Sequence, residues 1–269
     1  MAPSRVAARR LIDDGRILVS GALATKAGRM VDAEEPLVLV GPAPRFVGRG
    51  GQKLEAAIEG WSLDPRGLRI LDAGASTGGF TDCLLQHGAA SVTALDVGHG
   101  QIHERLRNDP RVDLVERTNV RHIDPDAAAP YDAVVADLSF ISLRTVMDVL
   151  VRSTAPGGWH VLLVKPQFEA GRVEVAKGRG VITDPVVWER VLQEVLDEAS
   201  DAGAVLEGVL PSPLRGADGN TEFLIRLLRP ADASESTAES TAESMASRSA
   251  ADMIRRAVAE AGDTAGSVR

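Results

Sequence analysis

A glycine-rich bend at residues 72–80, Asp-Ala-Gly-Ala-Ser-Thr-Gly-Gly-Phe, constrains the fold of this chain more than any other stretch. A short apolar run, 68–71, precedes the bend, and a helical pattern, 81–87, follows it and stops at Gly88. A strand, a glycine turn and a helix in this order are typical of an α/β domain. Because glycine has no Cβ, such a turn can bring the backbone close to a ligand, so the bend predicts a binding site.

The residues of the bend separate three classes of ligand. A dinucleotide fingerprint requires glycine at the position of Ser76, although Gly74 and Gly79 fit that pattern. A phosphate-binding P-loop requires lysine at the position of Phe80, so we do not expect a nucleoside triphosphate to bind. A small ligand with an adenosine and a carboxylate remains, and S-adenosylmethionine is the candidate that fits.

A second acidic residue, Asp96, ends the next apolar run, 92–95. An acid at this position can accept hydrogen bonds from ribose hydroxyl groups, as in other doubly wound nucleoside sites. The alternative interpretation is that Asp72 and Asp96 only cap helices, because aspartates are common at the strand ends of any parallel sheet.

Strand and helix patterns alternate through residues 61–229 and predict an α/β fold, a Rossmann-like doubly wound sheet with helices on both faces. The last two strands would form an antiparallel hairpin at the sheet edge. The glycine-rich segment 170–181 contains Arg172, Lys177 and Arg179, and we expect it to be a mobile basic loop. The predicted strands are 68–71, 92–95, 112–115, 132–137, 160–165, 204–210 and 222–228, and the predicted helices are 81–87, 101–107, 142–152 and 186–202.

Residues 1–45 have the pattern of a small, separate α+β unit. A basic amphipathic helix, 5–12, precedes strand-like runs at 17–19 and 37–40, with Ser20-Gly21 as a turn between them. Residues 46–60 are expected to form a linker and an entry helix that opens with Arg49-Gly50-Gly51-Gln52-Lys53. A lysine beside two glycines at this point could reach into an active site.

The net charge of −8 does not exclude a nucleic-acid partner, because the charges are unevenly distributed. Residues 1–60 contain nine Lys and Arg against seven Asp and Glu, so a local basic surface could contact phosphates. The single cysteine excludes an internal disulfide. The sequence contains neither an apolar run of the roughly 18 residues that a membrane span requires nor an apolar signal region, and we expect a cytoplasmic protein.

Residues 230–269 form a low-complexity tail in which Thr-Ala-Glu-Ser is repeated. The stretch 231–250 is too polar to bury a core. We therefore expect the tail to be disordered, except for a short helix at about 251–261.

Two charged residues end predicted strands at the edge where ligands of open α/β sheets bind: Asp137 and Lys165. Burying a lysine at the end of an apolar strand costs free energy unless the lysine is paired with an opposite charge or takes part in binding or catalysis. Lys165 could orient the lone pair of a hydroxyl nucleophile, stabilise a developing alkoxide or, if deprotonated, act as a base. The alternative is a plain surface lysine in an ion pair with Asp137.

Short sequence runs make the chain resemble the TlyA group, in which an S4 RNA-binding module is joined to an FtsJ-like methyltransferase. The resemblance extends from residue 4 to residue 228. The family's first helix would precede Ser4, so we expect either an incomplete module or a true start upstream of Met1. The runs are 49–54, 72–81, 96–98, 116–119, 137–142, 163–169 and 219–222, and the S4-like positions are Ser4-Arg5, Leu11-Ile12, Gly15-Arg16, Val19, Gly21 and Lys26.

The resemblance implies 2′-O-methylation of cytidine in ribosomal RNA, with S-adenosylmethionine as the donor and ribosomal subunits as partners. It implies that Lys165 acts on the 2′-hydroxyl, that Asp137 and Lys53 position it, and that Glu222 completes the network. No metal site is expected. The implied donor site is Asp72, Gly74, Ser76, Thr77, Gly78, Gly79, Phe80, Asp96 and Asn119, and the implied RNA contacts are Arg5, Arg9, Arg10, Lys26 and Arg49.

Two alternative functions stay open at this point. The first is an RNA-binding protein whose α/β domain has lost catalysis, and the intact set of four charged residues argues against it. The second is a cytolysin, because members of this group are also labelled haemolysins. The sequence has no membrane span to support a pore.

Overall fold

The structure, a computed structural model, describes residues 5–13, 15–41, 44–127, 129–216, 218–231 and 239–266. The chain separates into two units, Met1–Arg45 and Phe46–Arg269. Each unit has its own β-sheet.

The first unit contains helix α1 (Arg5–Asp13) and strands β1 (Ile17–Val19), β2 (Ala22–Leu23) and β3 (Leu37–Leu39). The strands form an antiparallel sheet with the order β2-β1-β3. Ser20 and Gly21 join β1 to β2 with φ angles of 50° and 81°. Two consecutive left-handed residues give a hairpin turn that matches the twist of its strands. The predicted helix, turn and two longer strands are confirmed, whereas β2 was not predicted.

The second unit contains a seven-stranded sheet, whose strands are β4 (Arg69–Ala73), β5 (Ser91–Leu95), β6 (Val112–Val115), β7 (Tyr131–Ala136), β8 (Thr154–Val164), β9 (Val205–Pro211) and β10 (Phe223–Leu228). The strand order is β6-β5-β4-β7-β8-β10-β9. The first five strands in this order pair in parallel, and β10 is antiparallel to both β8 and β9. The predicted fold class and the antiparallel edge hairpin are confirmed.

Helices cover both faces of this sheet; they are α2 (Gly50–Gly60), α3 (Gly79–Gln86), α4 (Glu104–Arg107), α5 (Met147–Arg152), α6 (Pro166–Glu169), α7 (Arg172–Lys177), α8 (Pro185–Asp201) and α9 (Glu239–Gly266). Neighbouring residues of a strand point to opposite faces. Val134 packs in a core with residues of α5, α8 and α9, and Val135 packs in a second core with residues of α2, α3 and α4. Burial on both faces explains why the central strands are continuous apolar runs.

Several elements differ from the predicted ones. The segment 170–181 is not simply a loop, because α7 lies within it. The predicted helix 142–152 is divided into a 3₁₀ turn, Leu143–Thr145, and α5. Strand β8 begins at Thr154, six residues before the predicted start at His160, and α4 is shorter than predicted.

The expectation of a disordered tail is wrong for the long helix α9. Ile254, Ala257, Val258 and Ala261 are buried on one side of this helix and join the core that contains α8. Their spacing of three and four residues is that of an apolar helix face, and packing rather than composition stabilises it. The predicted helix 251–261 lies within α9, and residues 232–238 of the tail lie outside the described ranges. Along the described part of the chain, no helix is long and apolar enough to cross a membrane.

Candidate active site

Four charged side chains from distant parts of the sequence meet at the carboxyl ends of the central strands. Lys53 comes from α2, Asp137 follows β7, Lys165 follows β8 and Glu222 precedes β10. The ammonium of Lys53 is 2.5 Å from Glu222 Oε2 and 3.9 Å from Asp137 Oδ2. The ammonium of Lys165 is 2.6 Å from Asp137 Oδ1. The four groups therefore form a row of alternating charge, Glu222, Lys53, Asp137 and Lys165, which we call the charged row.

Burial makes this alternation necessary. Lys53, Lys165 and Glu222 are only 8%, 7% and 3% exposed. Buried charges are tolerated when opposite charges and hydrogen bonds replace the lost water. The side chain of Asp137 is 22% exposed, so the row reaches solvent at the Asp137 end, where Lys165 also lies.

Lys165 is held from two directions. Besides its ion pair with Asp137, its ammonium donates a hydrogen bond of 2.9 Å to the hydroxyl of Ser139. A lysine ammonium has three N–H donors, so two polar neighbours leave one donor for an oxygen of a bound substrate. The predicted alternative, a plain surface lysine paired with Asp137, does not fit a side chain that is this deeply buried.

The glycine bend lies beside the charged row, after β4. Ser76 at its tip is exposed and has a φ of 49°, a conformation that non-glycine residues seldom adopt. The Asp96 carboxylate accepts hydrogen bonds from the backbone N–H groups of Ser76, at 2.8 Å, and Gly98, at 2.6 Å. Asp96 thus organises two loops at the strand ends and stays partly exposed, but it does not cap a helix, so the alternative interpretation of this residue is not supported.

The glycines of the bend are required by packing within the protein itself. A Cβ on Gly78, whose φ is 93°, would overlap the side chain of Leu106. A Cβ on Gly74 would lie 2.7 Å from the carbonyl oxygen of Asp137, and one on Gly79 would lie 2.9 Å from the nitrogen of Gly51. The interpretation that these glycines bring backbone close to a ligand is therefore incomplete, because α2, α4 and the loop after β7 occupy that space.

Two residues of the predicted donor site lie in the interior. Asp72 is fully buried and accepts a hydrogen bond of 2.6 Å from the Thr81 hydroxyl, and Phe80 is 3% exposed in the core beside α2. Burial, together with the nearby charges of Asp137 and Asp96, raises the pKa of Asp72 to about 7. The side chains of Asp72 and Phe80 therefore pack inside the protein and hold the glycine bend in place, through the hydrogen bond to Thr81 and the apolar core.

Replacing Asp72 with asparagine should remove a pH dependence of stability. The folded protein binds a proton at Asp72 more tightly than the unfolded chain does, so stability falls as the pH rises from about 4 to about 7. Relative to the wild type, Asp72→Asn should gain free energy of unfolding over this range, by at most a few kcal/mol, since one pKa unit corresponds to about 1.4 kcal/mol. Urea unfolding at pH 5 and pH 8 measures this gain, with the exposed Asp113→Asn as control. An equal difference between Asp72→Asn and wild type at both pH values would contradict the prediction.

The remaining predicted residues lie at the surface or at loop ends. Arg5, Arg9 and Lys26 are exposed in the first unit, and Arg9 forms an ion pair of 3.8 Å with Asp13. The side chain of Arg10 lies outside the described part. In the second unit, Arg49 is exposed immediately before α2, Thr77 is half-buried, and the side chain of Asn119 accepts a hydrogen bond from the backbone of Arg121.

Sequence reasoning missed an aromatic surface next to Lys165. Phe140 is 92% exposed with a φ of 65°, and its ring lies 5.3 Å from the ring of Phe168. Both rings line a cavity of about 530 Å³, together with Gln167 and Arg179. The Lys165 ammonium lies 5.8 Å from the Phe168 ring centre, so the cavity adjoins the charged row. An aromatic residue between Ser139 and Ile141 at a strand end was the signal that could have indicated this surface.

In the described residues, no group of three or more His, Cys, Asp or Glu could hold a metal ion.

Comparisons with known proteins agree with this architecture. The model of the FtsJ-like methyltransferase family matches residues 46–229, and that of the S4 domain matches residues 1–37. The 16S/23S rRNA (cytidine-2′-O)-methyltransferase TlyA of Mycobacterium tuberculosis is 42% identical over 262 residues, 97% of this chain and 94% of that protein. The candidate rRNA methyltransferase YqxC of Bacillus subtilis is 40% identical over 238 residues, 87% of this chain and 84% of that protein. The structure of a candidate hemolysin from Streptococcus thermophilus has a TM-score of 0.76 at 34% identity, and covers 99% of this chain and 94% of that one.

The fold and the matched domain define an α/β methyltransferase with a separate N-terminal module. The chain belongs to the FtsJ-like methyltransferase family and, by its similarity to the TlyA proteins, to the group in which this domain follows an S4 domain.

Proposed function

We propose that this protein transfers a methyl group from S-adenosylmethionine to the ribose 2′-hydroxyl of a cytidine in ribosomal RNA. The observation that carries the proposal is the charged row, in which Lys165 is buried between Asp137 and Ser139 at the solvent-facing end. The family match and the names of the relatives support the reaction class and the substrate class.

The glycine bend suits a donor that combines a nucleoside with a sulfonium. The partly exposed carboxylate of Asp96 can accept hydrogen bonds from ribose hydroxyls, and carboxylates at the strand ends suit a positive ligand. We assign Ser76, Thr77, Asp96 and Asn119 to contacts with the donor; Gly74, Gly78 and Gly79 give the bend its shape. When bound, S-adenosylmethionine supplies an electrophilic methyl group.

Lys165 has the central role in the proposed mechanism. Its remaining N–H donor orients the 2′-oxygen and stabilises the negative charge that develops there. The oxygen forms its bond to the methyl carbon as the carbon–sulfur bond of the donor breaks, and the hydroxyl proton passes to solvent water at the exposed end of the row. Asp137 and Ser139 fix the position of this ammonium, at 2.6 and 2.9 Å. Of the roles considered from the sequence, charge stabilisation is favoured because Lys165 lies in an ion pair of 2.6 Å with Asp137.

The N-terminal module gives the proposed enzyme a means of holding RNA. Its family match is an S4 domain, and Arg5, Arg9 and Lys26 present exposed positive charges there. Contacts of this kind bind phosphates without reading the base. We propose that these residues and Arg49 contribute affinity for ribosomal RNA, and that the site around Lys165 selects the nucleotide that reacts.

A methyl-transfer assay with radiolabelled S-adenosylmethionine and purified ribosomal subunits tests the proposal. We expect label in RNA from the wild type and none above background from Lys165→Ala. Nuclease digestion and chromatography should identify the product as 2′-O-methylcytidine. Binding of subunits without methylation would favour the RNA-binding alternative, and lysis of erythrocytes without methylation would favour the cytolysin.

The exposed ring of Phe140 predicts a contribution to RNA binding. A ring this exposed beside a catalytic lysine can stack on an unpaired base, and such stacking contributes about 1–3 kcal/mol per base. We expect Phe140→Ala to raise KM for RNA roughly 5- to 150-fold, with little change in the Kd of S-adenosylmethionine. Phe140→Trp, which keeps an aromatic face, is the matched control and should stay near the wild type. Equal KM values for the alanine and tryptophan variants would contradict this role.

A further inference from the structure

Glu169 connects the two loops that carry the reactive end of the charged row. It is the last residue of α6, one helical turn after Lys165, and it is 4% exposed. One carboxylate oxygen accepts a hydrogen bond of 2.7 Å from the backbone N–H of Leu143, and the other accepts one from the Ser142 hydroxyl. We call these contacts the inter-loop clamp.

Arg144 completes the clamp. Its Nε lies 3.5 Å from the Glu169 carboxylate, and its guanidinium donates a hydrogen bond of 3.0 Å to the Glu169 carbonyl oxygen. The same guanidinium forms an ion pair of 2.8 Å with Glu194 of α8, on the outer side. Burial raises the pKa of Glu169, whereas the hydrogen bonds from Ser142 and Leu143 and the charge of Arg144 act in the opposite direction.

The inter-loop clamp and the contacts of Lys165 join the loop 137–143 to the segment 165–169 at two places. At one end, Lys165 contacts Asp137 and Ser139; at the other end, Glu169 holds the chain at Leu143. Between these ends lies Phe140, whose positive φ of 65° is costly for a residue with a side chain. Such a conformation persists only where the surrounding structure enforces it, and the clamp supplies that constraint.

We propose that Glu169 is a positioning residue for methyl transfer, which fixes the loop 137–143 relative to the strand end that carries Lys165. The inference rests on the proposed function. Glu169 does not contact the charged row itself; it acts through Leu143 and Ser142. Loss of the clamp would let Ser139 and Asp137 move away from the Lys165 ammonium, and a displacement of about 1 Å near a reacting group can lower the rate about 100-fold.

Three variants separate this role from a general effect on folding. Glu169→Ala removes both acceptors and should lower kcat roughly 10- to 100-fold, with KM for S-adenosylmethionine within about 3-fold of the wild type, because the glycine bend is not part of the clamp. Glu169→Gln keeps a carbonyl acceptor for Leu143 and should restore kcat to within about 5-fold. Glu194→Gln breaks the outer ion pairs of Arg144 and Arg190 without changing Glu169, and should leave kcat unchanged.

Hydrogen exchange supplies a readout that does not depend on activity. The amide of Leu143 should exchange faster in Glu169→Ala than in the wild type, and Glu169→Gln should protect it again. If Glu169→Ala does not fold, Glu169→Gln is compared with Glu169→Asp. The side chain of aspartate is too short to reach Leu143, so the kcat of Glu169→Asp should be lower than that of Glu169→Gln. Wild-type kcat and unchanged exchange in folded Glu169→Ala would overturn the inference. An inactive wild type would instead refute the proposed function, with the exchange result still testing the clamp.

Discussion

Lys165→Ala is expected to lower kcat for methyl transfer by roughly 10²- to 10³-fold, the range observed when one donor that stabilises a developing negative charge is removed. The Lys165 ammonium lies 2.6 Å from Asp137 and 2.9 Å from the Ser139 hydroxyl at the end of the charged row that reaches solvent, and it has a donor left for substrate. Its removal takes away charge stabilisation at the 2′-oxygen without touching the glycine bend. Binding of S-adenosylmethionine, measured by calorimetry, should therefore stay within about 3-fold of the wild type.

Two controls sharpen this experiment. Lys177→Ala removes an exposed lysine on α7 and should keep wild-type kcat. Lys165→Arg keeps the positive charge but replaces a compact ammonium with a planar guanidinium, and should remain strongly impaired because the pocket between Asp137 and Ser139 fits a single nitrogen. A Lys165→Ala enzyme that retains more than about a third of wild-type kcat would show that this lysine does not manage the reacting oxygen.

Glu222→Ala is expected to destabilise the larger unit by about 3–5 kcal/mol, because it leaves a buried charge without its nearest partner. Glu222 is 3% exposed, and its carboxylate lies 2.5 Å from the ammonium of Lys53, which is itself 8% exposed. After the substitution, Asp137 at 3.9 Å would be the remaining carboxylate beside Lys53. Urea unfolding at pH 7 measures the loss.

The edge hairpin offers a matched control for this prediction. Glu207 of β9 forms an ion pair of 2.7 Å with Arg226 of β10. The side chains of Glu207 and Arg226 are 30% and 26% exposed, whereas those of Glu222 and Lys53 are 3% and 10% exposed. Water screens such a pair, so Glu207→Ala should cost only about 0–1 kcal/mol. Replacing both Lys53 and Glu222 with leucine should cost less than Glu222→Ala alone, since neither charge is then left buried. Equal losses for Glu222→Ala and Glu207→Ala would contradict the prediction.

Local patterns predicted the elements of the sheet well, because the central strands β4, β7 and β8 contain buried apolar runs and β4 is followed by glycine. They predicted the segment 251–261 of α9, which contains the apolar face packed against the core, but not the polar segment 239–250 that precedes it. They also assigned the glycines of the bend to ligand contact, whereas Gly78 and Gly79 make room for Leu106 and for Gly51 of α2. Contacts between distant segments decide such points, and no local window contains them.

The residues of the candidate site were likewise predicted only in part. Asp137 and Lys165 were predicted from their position at strand ends, and the structure brings them to 2.6 Å. Lys53 was noted from its position beside two glycines, and the family resemblance placed Glu222 in the same network, but the pairing of these two residues, 169 positions apart, was not predicted. Ser139 and Phe140 were given no separate role, because the position of Phe140 at a strand end is a weak signal and no local pattern indicates that Ser139 accepts a hydrogen bond from Lys165.

The charged row begins in the first helix of the larger unit and ends just before β10, its last strand. During synthesis, Glu222 leaves the ribosome after every other member of the row, and it directly precedes Phe223, the residue of β10 that pairs with Val164 of β8. A nascent chain that stops short of β10 lacks the carboxylate nearest Lys53, however well its parallel strands have formed. The charged row is thus completed in one late step, after all the parallel strands have been synthesised.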